Sequence, residues 1–199
     1  MDKNNEIIDN QMPDGQKYDS GDKQQTKICS VISFFKETLI YSAQVMILTL
    51  IIINFIGRVS IVQGSSMQPS LSTDNRVLVN LFIYKFSQPH RGDIIVFECP
   101  IHSGRDYIKR AIGLPGETIE IKKGVVFING KKLNEPYIEY TDNDDMLEKT
   151  IIPQGSIYVL GDNRANSEDS RYWGPVSSKL IKGKAQVIFW PPDSFKVLK

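Results

Sequence analysis

The 199-residue chain carries 24 basic and 23 acidic residues, a formal net charge of +1, and this balance argues against nucleic acid as its main partner. A hydrophobic fraction of 41 % suits a globular core, and the length allows one domain with something added. The two cysteines, Cys29 and Cys99, make neither a disulfide framework nor a zinc site, and both read as structural.

The first 26 residues are polar, with three aliphatic or Met residues besides the initiator, and they include Pro13, Gly15 and Gly21. Such a segment cannot bury enough apolar surface to offset its ordering entropy, so a disordered, solvated tail is expected over residues 1–32. The stretch TLIYSAQVMILTLIIINFIG follows. No charge occurs between Glu37 and Arg58, a run of 20 residues. At ~1.5 Å per residue it reaches about 30 Å, the thickness of a bilayer's hydrocarbon core. Its apolar residues occupy every face, so residues 33–57 are expected to form a membrane-spanning helix in the lipid bilayer rather than a buried core helix. The apolar run is too long for the h-region of a cleaved signal peptide, and the tail before it is unlike a short basic n-region. The segment reads as a signal anchor. Lys23, Lys27 and Lys36 favour a cytoplasmic N-terminus in a plasma membrane, with Arg58 weakening the bias. Residues 58–199 then face outward, and Cys29 and Cys99 lie on opposite sides of the membrane.

The outward part reads as β. RVLVNLFIY, GDIIVFECP, SIYVLGD and KAQVIFWP are strand-like, and TIEIKKGVVFINGKKL holds two more strands with a tight-turn signal at Asn129-Gly130. TDNDDMLEK, 141–149, reads as loop. Short strands separated by turns predict an all-β domain of folded antiparallel sheets or a barrel.

The segment GSSMQPSL, residues 64–71, places two serines shortly after the apolar run. Serine is a weak nucleophile until a base takes its proton. The two histidines, His90 and His102, sit in turn-like contexts without a motif. A lysine can replace histidine as the base. Its pKa must then fall from ~10.4 to roughly 7–8, about 4 kcal/mol of disfavoured charge that burial can supply. Lys109 lies in the apolar strand YIKRAIG, with Tyr107 and Ala111 on its face and Arg110 on the other. Pro69 helps set the turn that presents the serine, and Gly161-Asp162-Asn163 offers a turn with an acid placed to accept backbone N–H groups. Asp169 and Arg171 share a face if their stretch is extended.

GSSMQPSL, RGDIIVF, YIKRAIGLPGE and GDNRANSEDSRYWGPV occur in this order and closely resemble the characteristic boxes of bacterial type I signal peptidases, Ser-Lys enzymes that remove signal peptides from exported proteins. The match runs from about Arg58 to Pro191. The resemblance implies Ser66 as nucleophile, Lys109 as general base and Ser167 as the hydroxyl that orients the lysine. It implies Asp162, Arg164, Asp169 and Arg171 as ion-paired supports of the site. Val62, Gly64, Met67, Leu71, Tyr107 and Ile108 would line the bound substrate. Some members carry a serine where this chain has Gly64, and here the Ser66 backbone N–H would carry more of the oxyanion. Many have an acid where this chain has Ala165. Gly64 is similar to the Gram-positive and cyanobacterial branch. Substrates would be extended signal peptides of exported preproteins with small residues at −1 and −3, and no metal or cofactor is implied. Ser66 lies eight residues past Arg58, within about 28 Å of extended chain, which keeps it near the membrane. Two other readings stand. A self-cleaving repressor-type Ser-Lys protease would need a DNA-binding helical domain where this chain has a tail and an apolar helix. A non-enzymatic tethered module would be expected to have lost Ser66 or Lys109.

Overall fold

The structure, a computed structural model, describes residues 20–55 and 57–198. Helix α1 runs Ser20–Phe55. Residues 20–32, expected as tail, therefore belong to the helix, and the rest of the expected tail, 1–19, lies outside the described residues. The early start has a simple cause. Once the apolar segment has nucleated a helix, each further residue adds a hydrogen bond for little cost, and Lys23, Gln24, Gln25 and Lys27 are good helix formers. The stretch Val31–Leu50 is long and apolar enough to cross a membrane, and none of it is buried, unlike the core helix of a soluble domain.

Twelve strands follow: β1 (Arg58–Ile61), β2 (Arg76–Asn80), β3 (Ile94–Glu98), β4 (Asp106–Gly113), β5 (Thr118–Lys122), β6 (Val125–Ile128), β7 (Lys131–Lys132), β8 (Leu147–Ile151), β9 (Ser156–Leu160), β10 (Val176–Ser177), β11 (Ile181–Trp190) and β12 (Lys196–Val197). The large sheet has the order β1-β2-β11-β3-β4-β9-β10, with β12 also on β11, and the small sheet has the order β7-β6-β5-β8. Every pairing is antiparallel, the mostly-β architecture expected. The small sheet is an insertion between β4 and β9, and its Ile119, Ile121 and Val126 form one apolar cluster with Ile112, Tyr158 and Leu160 of those two strands.

Local chemistry sets the strand ends. The RVLVNLFIY strand stops at Asn80, whose side-chain oxygen accepts the main-chain N–H groups of Phe82 and Ile83 (2.9 and 3.1 Å) and turns the chain into the short helix α2 (Ile83–Phe86). Asn129-Gly130 makes the expected tight hairpin, with φ of 50° and 77°. Lys123-Gly124 makes a second hairpin of the same kind, between β5 and β6, at φ of 49° and 74°. The segment 141–149 is loop only to Met146, because Leu147 opens β8. That strand is an edge with mostly exposed side chains, so it lacks the alternation by which a half-buried strand is recognised.

Candidate active site

Ser66 sits on a turn held from below. Past β1, Val62 N–H donates to Asn75 O and Asp74 N–H donates to Val62 O, both at 2.9 Å. Gly64 then takes φ +86°, a left-handed conformation open to glycine at no steric cost. Leu71 N–H donates to Met67 O at 2.8 Å and closes this stretch into a turn. Met67 and Leu71 are fully buried in the cluster that holds Val62, Val77, Val79 and Ile94. Expected as substrate walls, these two instead underpin the turn and do not line the cleft.

Lys109 arrives from β4. It is 4 % exposed, and its Nζ lies 2.6 Å from Ser66 Oγ, a hydrogen bond that either group can donate according to where the proton sits. Burial brings its pKa from 10.5 down to about 8, against the pull of the Asp169 and Glu168 carboxylates. The Tyr107 ring, on the same strand face, stands with its centroid 5.5 Å from Nζ. This pair has the parts of nucleophilic catalysis: a hydroxyl, and an amine of which roughly a tenth is neutral at pH 7.

Arg110 points to the other face of β4, as strand alternation requires, but it does not reach solvent. Its guanidinium forks onto the fully buried Asp162 carboxylate at 2.8 and 2.6 Å, and it also donates to Gly92 O and to Ser70 Oγ of the turn that carries Ser66. Asp162 thus accepts from an arginine rather than from the backbone. The carboxylate that takes a backbone N–H there is Asp169, from Gly161 at 3.0 Å. Asp169 also caps α3 (Ser170–Trp173) and holds Arg171 through Nε at 2.8 Å and Nη2 at 2.9 Å. Arg164 donates to Gly161 O and pairs with Glu135, a partner supplied from far along the chain rather than from position 165. Asn163 N–H holds Ser66 O at 3.0 Å. Gly161 cannot carry a side chain: a Cβ there would stand 2.2 Å from Ser167 Oγ and 2.5 Å from Ser66 O. The Ser167 hydroxyl is buried beside it and makes no hydrogen bond among the described residues. Ser65 Oγ accepts from Asn166 Nδ2 at 2.8 Å.

A cavity of about 910 Å³ opens beside the pair. One wall is β1 and its extension through Ser66, and the other is the first half of β4, Asp106 to Lys109. Three strands separate β1 from β4 in the sheet, so the sheet is curled to bring them face to face. Both walls have a spare edge: β1 pairs only with β2, and β4 pairs with β9 only from Arg110 onward. Of the expected substrate residues, Val62, Gly64, Tyr107 and Ile108 line this cleft. Glu168, which accepts the Tyr107 hydroxyl at 3.1 Å, is a cleft residue that sequence reasoning did not single out. Neither histidine lines it: His90 is exposed, and His102 stands 3.9 Å from Glu168 on the outside.

Residues 35–190 match the family described as signal peptidase, peptidase S26. Signal peptidase I of Bacillus caldolyticus is 39 % identical over 148 residues, 68 % of this chain and 80 % of that protein. Signal peptidase IB of Staphylococcus aureus is 35 % identical over 177 residues, covering 80 % and 92 % respectively. A solved signal peptidase I from Enterococcus faecalis V583, 34 % identical, covers 50 % of this chain and 98 % of that one with a TM-score of 0.44. With residues 35–190 accounted for and relatives matched over two thirds of the sequence or more, the chain belongs to the signal peptidase family of S26 peptidases.

Proposed function

We propose that this protein is a membrane-anchored serine endopeptidase that removes N-terminal signal peptides from exported preproteins, with Ser66 as nucleophile and Lys109 as general base. The carrying observation is the 2.6 Å contact between Ser66 Oγ and a buried Lys109 amine at the end of a cleft with two open strand edges. An extended peptide entering that cleft pairs with the edges and turns alternate side chains toward Val62, Gly64, Tyr107 and Ile108.

Neutral Lys109 takes the Ser66 proton as Oγ attacks the carbonyl carbon after a small residue. The oxyanion is met by the Ser66 backbone N–H, and the resulting lysine ammonium gives its proton to the leaving amine. The acyl-enzyme left on Ser66 is released by a water from which Lys109 removes a proton, and the serine recovers its hydrogen. The unpartnered Ser167 hydroxyl, held beside Gly161 and the Ser66 main chain, is the group offered to the amine to fix its direction. Asp162, Arg164, Asp169 and Arg171 support the turn behind it. The apolar helix anchors the enzyme in the plasma membrane with the N-terminus cytoplasmic and the β-domain on the outer side, where preproteins emerge.

The test is incubation of the purified full-length protein, in detergent, with a preprotein, followed by mapping of the new N-terminus. A single cut after a small residue is expected, absent in Ser66→Ala and in Lys109→Ala. Turnover above a few per cent of the parent rate in either folded variant refutes the dyad.

A further inference from the structure

We propose that the loop of residues 133–146, between β7 and β8, is a positioning element of the active site, in which Glu135, Tyr137 and Asp145 hold the Ser66–Lys109 pair in register through Arg110, Arg164 and Arg171. The proposal rests on that pair being the reacting one. The small sheet shares an apolar cluster with Ile112, Tyr158 and Leu160 of the large sheet, and its 133–146 loop reaches further, to each arginine behind the dyad. Glu135 pairs with Arg164 at 2.5 Å, with both side chains under a tenth exposed. The Tyr137 ring lies 4.0 Å from the Arg110 guanidinium carbon, and its hydroxyl donates to Glu135 at 2.9 Å. Asp145 pairs with Arg171. The Arg164 main-chain N–H donates to Tyr140 O of the same loop.

Each arginine in turn grips main chain or side chain that carries the reacting atoms. Arg110 follows Lys109 directly and reaches Ser70 on the nucleophile turn. Arg164 holds Gly161 O, two residues before the Asn163 N–H that fixes Ser66 O. Arg171 donates to the carbonyls of Arg164 and Ser167 and to Asp169. A buried guanidinium without its carboxylate seeks another partner, and the groups within reach are those that position the dyad. The loop thus acts on geometry and leaves the cleft walls untouched, so its loss shows in kcat and not in KM.

The experiment is steady-state cleavage of a preprotein by full-length Glu135→Gln, Asp145→Asn and Tyr137→Phe, at a temperature well below each variant's melting point. For Glu135→Gln and Asp145→Asn, kcat is expected to fall about tenfold, the scale of a dyad misplaced by part of an ångström, with KM within about twofold. Tyr137→Phe should fall less, because the ring stays on Arg110. A purely structural role would lower the melting point and leave kcat per folded molecule unchanged. In the double variant Glu135→Gln/Arg164→Gln, kcat is expected to be no lower than in Arg164→Gln alone, because the glutamate acts through that arginine. Parent-like kcat in folded Glu135→Gln and Asp145→Asn overturns the proposal, as does additive loss in the double variant. If Glu135→Gln fails to fold, Asp145→Asn, at a more exposed position, decides by the same criterion. Ser66→Ala run alongside separates the two ideas: activity there refutes the dyad, whereas a dead Ser66→Ala beside an unaffected loop refutes only the positioning role.

Discussion

Burial of Lys109 predicts that Lys109→Met is inactive yet more stable than the parent at neutral pH. The amine titrates near 10.5 in the unfolded chain and at about 8 in the folded one. Between those values the folded state binds fewer protons than the unfolded, so stability rises with pH across that window. Below about 8 both states are protonated, and the full cost of the buried ammonium is present. About 2.5 pH decades at ~1.4 kcal/mol each come to roughly 3.5 kcal/mol. Methionine has a similar length and no charge to desolvate. Urea unfolding of the full chain in detergent, followed by the fluorescence of Trp173 and Trp190, measures the difference. Lys109→Met should gain up to about 3.5 kcal/mol at pH 7, and the gain should shrink towards zero as pH approaches 10.5. A difference that is flat over this range, or a destabilised variant, refutes the idea that burial sets the base. The kinetic counterpart is kcat/KM of the parent, which should climb with pH up to about 8 and then level. The same limb should survive replacement of both histidines.

Ser65→Ala should keep most activity, since that hydroxyl accepts from Asn166 while Ser66 holds the amine; a dead Ser65→Ala beside an active Ser66→Ala would exchange the assignments. Asp162→Ala leaves the Arg110 guanidinium buried and unpaired, and should cost about 3–5 kcal/mol in denaturant unfolding. Parent-like stability there would mean that the pair contributes little. Gly161→Ala forces a methyl group against Ser66 O and the Ser167 hydroxyl, and should lower stability by about 1–3 kcal/mol together with kcat, as read by thermal unfolding and preprotein cleavage. An alanine variant with unchanged rate would show that the turn has room to move.

Ser66 and Lys109, the pair that the structure brings to 2.6 Å, are legible because each lies in a short box whose local pattern is unusual: serine and proline after a glycine, and a lysine within an apolar strand. What was illegible is what joins the boxes. Arg110 finds Asp162 52 residues away, and Arg164 finds Glu135 29 residues away, with nothing local to announce either partner. A signal did exist for Arg110: an arginine on the inner face of a strand must be paired, and an acid beside a glycine turn is a natural partner. Met67 and Leu71 were read as cleft walls because an apolar side chain looks the same in sequence whether it faces a cleft or the core. Only the backbone direction of the turn distinguishes the two. The helix start was missed for a different reason. A polar segment is a poor helix by itself, and becomes one by continuing an apolar helix already formed.

The two opposed strand edges carry a consequence for what the enzyme can cut. An unpaired edge ordinarily recruits any other strand, including those of folded neighbours. Here both edges face inward across one cavity, and a sheet of another protein, already thick with its own strands and side chains, cannot slide between them. A single chain with free backbone groups on both sides can. The cleft is therefore a filter for conformation before it is a filter for sequence. A small residue inside a folded domain presents no bare strand and escapes, while the same residue in an unstructured linker is within reach. Correct cleavage then depends on the segment around the cut remaining unfolded until it has been processed.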